Sequence, residues 1–208
     1  MNELLMGAYE AVTVVLPAIA VFLILDRFYR RNGHFVRKSR VLPVLVFSAY
    51  ICAVFYFTGA GTIFHLDMYG LDLRPGEMNL LPFSTEIDLV AYLQNILLFI
   101  PFGFMLPLIW PRTKSWRCTA LSGLAFSALI EASQLINHRS TDVDDLIMNT
   151  AGALLGYVLF ILFTRHIRQR TSGQYSCKFE PLIYISIMFA GHFLLFNEYG
   201  LAKILYNF

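Results

Sequence analysis

Apolar runs long enough to cross a bilayer alternate along this chain with short loops that hold most of its Lys and Arg. Thirteen of the sixteen basic residues form three clusters: Arg27, Arg30, Arg31, Arg37, Lys38 and Arg40; then Arg112, Lys114 and Arg117; then Arg165, Arg168, Arg170 and Lys178. Only Arg74, Arg139 and Lys203 lie elsewhere. Short loops rich in Lys and Arg stay on the cytoplasmic side of a membrane, so the three clusters mark one face. Asp67, Asp72, Glu77, Glu86, Asp88, Asp142, Asp144 and Asp145 then collect on the opposite face.

Composition supports this class. Hydrophobic residues make up 57% of the 208 and charged residues only 14%, whereas a soluble domain carries about 25% charged residues. A net charge of +2 gives no case for nucleic acid, and basic loops suit the membrane surface instead. Cys52, Cys118 and Cys177 form no CxxC pair, so neither a disulfide framework nor a thiolate metal site is indicated and they read as packing residues.

A hydrocarbon core about 30 Å thick needs about 20 apolar helical residues. Six segments approach that length: 11–28, 41–64, 91–110, 118–136, 146–164 and 179–196. The expected fold is an all-α, polytopic membrane bundle of about six transmembrane helices, forming a single domain over 1–208. Pro181 suits the first turn of the sixth helix. Ala18-Ile19-Ala20 mimics a signal-peptide cleavage site, but Glu3 and Glu10 precede it without any basic residue, which predicts a retained helix. With the basic loops inside, both termini fall outside. Leu201, Ile204, Leu205 and Phe208 recur at helical spacing and predict a short amphipathic helix at the outer interface.

Polar groups inside apolar spans are costly, so each needs a reason. Glu131 lies near the outer end of the fourth span, with Gln134 three residues on. Asn95 stands near the outer end of the third span, with Phe99 and Phe102 continuing its face, and His192 near that of the sixth. In the fifth, Asp142, Asp145, Asn149, Gly152 and Gly156 are spaced 3, 4, 3 and 4, which is one helical face. Gly152 and Gly156 form a GxxxG pair that lets another helix approach closely. Thr141 is the expected N-cap, with Asp144 at the third helical position, and Thr85 with Asp88 marks the start of the third span. These groups share one level and predict a polar pocket opening outward. Plainer roles stay open: Asp142 and Asp144 at a positive helix end, and Glu131 with Arg139 as a structural lock. His65, His138 and His192 lack any HxxxH or HExxH spacing, so no metal site is expected.

Asn79-Leu80-Leu81-Pro82-Phe83, then Asn95-x-x-x-Phe99-x-Pro101-x-Gly103, then Glu131-x-x-Gln134, then Arg139-x-x-Asp142-x-Asp144-Asp145-x-x-x-Asn149-x-x-Gly152-x-x-x-Gly156 resembles the VanZ-like family. The series sets a family core at about 79–160, flanked by helices 11–28, 41–64 and 179–196. The resemblance implies a multi-pass protein of the bacterial cell membrane, linked to resistance against the glycopeptide teicoplanin. It implies no reaction, cofactor or protein partner.

Two readings of the outer site follow. In the first, the chain binds a lipid-like or lipid-linked envelope molecule, such as an envelope precursor or a lipoglycopeptide. Asn79, Asn95, Gln134, Arg139, Asp142, Asp144 and Asn149 would contact it. Arg139 and the helix N-terminus would take an anionic group, and an apolar groove near Phe99 and Phe102 the acyl part. In the second, the chain is a membrane enzyme on a lipid-linked substrate. Glu131 would be acid or base, Asp145 would join it as a catalytic carboxylate, and the aspartates would hold a divalent cation. No nucleophile arrangement is visible for it. A transporter is a third class, but one buried acid and one histidine make a thin relay and no inverted repeat appears.

Overall fold

The computed structural model describes residues 2–34, 40–70, 78–79, 81–84, 88–137, 141–165 and 179–206. Arg139, His138, Thr85, Cys177 and Phe208, named above, lie outside them.

Eight helices and one short strand pairing make up the described chain. Helix α1 (Asn2–Arg31) is longer than the expected first span and brings Glu10 inside it. Helix α2 (Val41–Thr58) stops six residues short of the expected 41–64. Gly59 adopts a left-handed conformation (φ 61°, ψ 48°) and closes the helix through its N–H to the Phe55 carbonyl, a turn that glycine makes without steric cost. A five-residue helix, α3 (His65–Tyr69), follows.

Helix α4 (Leu89–Ile109) starts at Asp88, whose carboxylate accepts the N–H groups of Val90 and Ala91. It carries Pro101 and Pro107, and Tyr50 Oη donates to the Leu98 carbonyl at 2.8 Å near the first of them. Helices α5 (Trp116–Gln134) and α6 (Val143–Thr164) complete the centre, and α7 (Glu180–Leu195) and α8 (Glu198–Tyr206) close the chain. Strands β1 (Met78–Asn79) and β2 (Thr141–Asp142) pair in parallel, Met78 with Thr141 and Asn79 with Asp142. The helix begins at Val143 and the Asp142 carboxylate accepts the Asp144 N–H, so the N-cap of α6 is Asp142, not Thr141 as the sequence suggested.

Glycines set the packing. A Cβ on Gly152 would lie 2.3 Å from the Ile96 carbonyl oxygen, one on Gly156 2.0 Å from that of Ile100, and one on Gly103 1.8 Å from that of Ala153. Helices α4 and α6 therefore run side by side, parallel, with backbones in contact along the predicted GxxxG face. Helix α5 crosses them antiparallel: Asn149 Nδ2 donates to Ser127 Oγ at 2.9 Å. At the opposite edge, a Cβ on Gly191 would lie 2.2 Å from the Thr13 carbonyl oxygen, which seats α7 on α1.

The core is aromatic. Phe99, Phe102 and Phe126 are fully buried, with ring centroids 5.5–5.9 Å apart. Phe47 reaches both Phe102 and Trp110. The acyl groove expected beside Phe99 and Phe102 is thus filled by packed rings.

Four helices, α1, α2, α4 and α6, are long and apolar enough to cross a membrane, and α7 with α8 would make a fifth as one span bent by 44°. Helix α5 falls outside that group because its polar residues lower its mean hydropathy, and most of them are buried. Thr119, Ser122, Ser127, Glu131, Ser133 and Gln134 are buried, while Leu121 and Leu124 are exposed. The molecule is an all-α bundle of membrane type. Its basic end is locked by Glu180, which accepts from Arg40 Nη2 at 2.6 Å and from Tyr29 Oη at 3.2 Å, all three side chains buried.

Candidate functional site

The acidic group sits where the N-terminal ends of α4 and α6 meet the β1–β2 pairing. Each carboxylate is held by a different donor. Asn79 Nδ2 donates to both oxygens of Asp142, at 3.2 and 3.1 Å, and Asp142 also accepts the Asp144 N–H at 2.9 Å as helix cap. Asp144, fully buried, accepts the Phe83 N–H on both oxygens, at 2.9 and 3.2 Å, and the Tyr92 hydroxyl. Asp145 accepts from Asn95 Nδ2 at 2.5 Å. Glu131, 5% exposed, accepts the Asp142 N–H at 3.3 Å. Asn79 in turn accepts from Ser84 Oγ at 2.6 Å.

Phe83 shows why the arrangement is specific. Among the described residues it is the non-glycine one with a left-handed backbone, φ 56°, a conformation that costs about 1–2 kcal/mol. The N–H that this turn presents is the one Asp144 takes on both oxygens. Strain of this kind persists only where surrounding contacts over-determine it.

All these donors are neutral. Among the described residues no Lys or Arg pairs with Glu131, Asp142, Asp144 or Asp145. In the first α6 turn the Asp144 N–H is engaged by Asp142; Arg139 lies outside the described residues. The aspartate oxygens also face three different donor sets, and among the described residues no three His, Cys, Asp or Glu side chains form a metal-binding group.

The structure unites Asn79, Asn95, Glu131, Asp142, Asp144 and Asp145. It separates two others. Gln134 turns toward α2, its Nε2 donating to the Thr58 carbonyl at 2.7 Å. Asn149 lies deeper, bound to Ser127. His192, expected at the same pocket, belongs to another region: its Nε2 meets the Ala60 carbonyl at 3.2 Å and its Nδ1 faces Glu10 at 3.6 Å. Tyr92 and the Phe83 N–H are site members that sequence reasoning missed. The signal for Tyr92 was its position three residues before Asn95 on α4, which places both on one face.

An all-α bundle of membrane type, with apolar spanning helices and a carboxylate group gathered at one end by asparagines, a tyrosine and backbone N–H groups, defines the class. Residues 45–164 match the family model described as VanZ/LLP1, and the chain belongs to that family. The match takes in most of α2, beyond the 79–160 core that the motifs marked. Protein VanZ of Enterococcus faecium is 32% identical over 95 residues, covering 45% of this chain and 58% of that protein. The alignment thus spans little more than half the length of that relative. No solved structure matches the chain.

Proposed function

We propose that this chain works in the bacterial cell envelope, where it binds a lipid-like or lipid-linked molecule at the outer leaflet and lowers sensitivity to teicoplanin-type lipoglycopeptides. In this reading α5 and α7 join the four long apolar helices as six spans, the basic clusters face the cytoplasm, and both termini lie outside. The observation that carries it is the acidic group of Glu131, Asp142, Asp144 and Asp145, which pairs with no Lys or Arg among the described residues, beside an apolar stripe. Leu89, Leu93 and Leu97 of α4 are 68%, 58% and 63% exposed and lead from the acidic end toward the bilayer. Carboxylates at the interface favour hydroxyl- and ammonium-bearing head groups, and the leucine stripe suits an acyl chain. A lipid tail separates teicoplanin from vancomycin, so a membrane-level effect should discriminate between the two.

The test is drug susceptibility. Expressed in a glycopeptide-susceptible bacterium, the wild-type chain raises the inhibitory concentration of teicoplanin more than that of vancomycin. Glu131→Gln and Asp145→Asn, each at equal membrane levels, lose the effect. Full protection by the combined variant contradicts the reading. Orientation is checked in a cysteine-free background: a cysteine at Ser84 reacts with an impermeant label in intact cells and one at Ser115 does not.

The enzymatic alternative rests on Glu131, a buried carboxyl one hydrogen bond from the Asp142 N–H. Divalent-dependent product formation from a lipid-linked substrate supports it. Binding without turnover, unaffected by a chelator, supports the binding role.

A further inference from the structure

A cavity lined by several acids lies away from the acidic group. A space of about 550 Å³ opens between the N-terminal turns of α1, the C-terminal ends of α2 and α7, and α8. Its volume lies in the range of small-molecule sites, about 300–1,000 Å³. Glu3, Glu10 and Glu198 line it, with no Lys or Arg among its lining residues. Glu3 and Glu198 are exposed at its rim, whereas Glu10 is 5% exposed. Phe55, Tyr56 and Phe196 supply aromatic walls.

Glu10 distinguishes this cavity from a solvated acidic surface. Its carboxylate makes no hydrogen bond to the described residues, and His192 Nδ1 faces it at 3.6 Å. His192 is itself 1% exposed. Its ring stacks on Phe55 at 4.6 Å and on Phe196 at 5.3 Å, so it is held in place. The Ala60 carbonyl accepts at Nε2, which makes Nε2 the donor nitrogen, and Nδ1 is left without a hydrogen-bond partner. Asn137, another lining residue, donates through Nδ2 to the Gly59 carbonyl at 2.9 Å and has an unpartnered Oδ1. The cavity therefore has an excess of acceptors: three carboxylates, a ring nitrogen and an amide oxygen. Buried polar groups are normally satisfied, and the missing complement is a positively charged donor.

We propose that this cavity is a binding site for an organic ammonium group, with Glu10 as its principal anchor, Glu3 and Glu198 as its rim charges, and Phe55, Tyr56 and Phe196 as its aromatic walls. An ammonium donates several hydrogen bonds and is attracted to ring faces. The site is separate from the acidic group of α4 and α6 and does not depend on the function proposed there.

The test is calorimetric titration of the full chain in a non-ionic detergent with octylammonium, octanoate and ethylammonium. Octylammonium should bind saturably at one site, and octanoate should not. Glu10→Gln should weaken octylammonium about tenfold or more, the weight of one charge-assisted hydrogen bond. Glu198→Gln, a change at an exposed rim position, should weaken it less while melting like the wild type, which separates loss of a ligand contact from loss of fold. Asp145→Asn should leave the affinity unchanged. Ethylammonium binding as tight as octylammonium would identify a free amine as the ligand class; a marked preference for the longer chain would identify the head group of an amphiphile. Unaltered affinity in Glu10→Gln, equal binding of octanoate, or tighter binding of Zn²⁺ alone that is lost in His192→Phe would overturn the proposal.

Discussion

Two groups of acids, each with a buried member, occupy the same end of this bundle, and they are built in opposite ways. At the α4–α6 end every carboxylate has a donor supplied by the chain: Asn79 for Asp142, Phe83 and Tyr92 for Asp144, Asn95 for Asp145, and the Asp142 N–H for Glu131. At the α1–α7 edge Glu10 has none, and the nitrogen facing it lies at 3.6 Å. The first group contributes to the fold by pinning β1, β2 and two helix starts together. The second leaves a cavity where the first has packed neighbours. Burial of a carboxylate by itself thus says little about its role; what decides is whether the chain provides the donor.

The contrast can be broken most severely through the helix seams. Gly156→Leu should cost at least about 3 kcal/mol, because a side chain there meets the Ile100 backbone on the neighbouring helix. Thermal melting in detergent would show it, and an unchanged transition would mean that α4 and α6 are not held by this face. Gly7→Leu offers the counterpart. Gly7 lines the cavity, and a Cβ added there meets nothing within 4 Å. It should leave the melting transition within roughly 0.5 kcal/mol of wild type while filling space and weakening octylammonium binding.

Within the acidic group the expected effects are smaller. Asp144→Asn puts an amide donor where two donors already converge, and should cost about 2 kcal/mol by chemical denaturation. Asn95→Ala removes one hydrogen bond to Asp145 and should cost about 1 kcal/mol. If Asn95→Ala proved the more damaging of the two, the ranking of donors proposed for this end would be wrong.

Much of the first region was legible in the sequence and little of the second. The 3, 4, 3, 4 spacing of Asp142, Asp145, Asn149, Gly152 and Gly156 describes a single helix, and helical periodicity transfers directly into a shared face. Its partner surface on α4 was equally readable from Asn95. The N-cap was misplaced by one residue because the extended strand pairing runs through Asp142 and the helix begins only at Val143, a pairing between segments 63 residues apart that no local pattern announces. The acyl groove near Phe99 was not there because three helices bring their phenylalanines to the same point. Gln134 was assigned to the acidic group from its depth and its place three residues after Glu131, and His192 from depth alone. Depth fixes a level in the membrane but not a direction around the bundle, and both side chains point to the α2 end instead. Glu10 was missed as a buried group because the first span was read from residue 11, whereas α1 begins at Asn2 and carries Glu10 among its buried residues.

The division between chain-satisfied and unsatisfied acids is tested most directly by melting Glu10→Gln beside Asp144→Asn under identical conditions. Glu10 makes no hydrogen bond to the described residues that the substitution can remove, so Glu10→Gln should melt at or slightly above the wild-type temperature. Asp144→Asn should melt several degrees lower, in keeping with about 2 kcal/mol lost in a chain of this size. A fall in Glu10→Gln as large as that in Asp144→Asn would contradict the account, since it would show that Glu10 is as firmly held by the fold as the acids of the α4–α6 end.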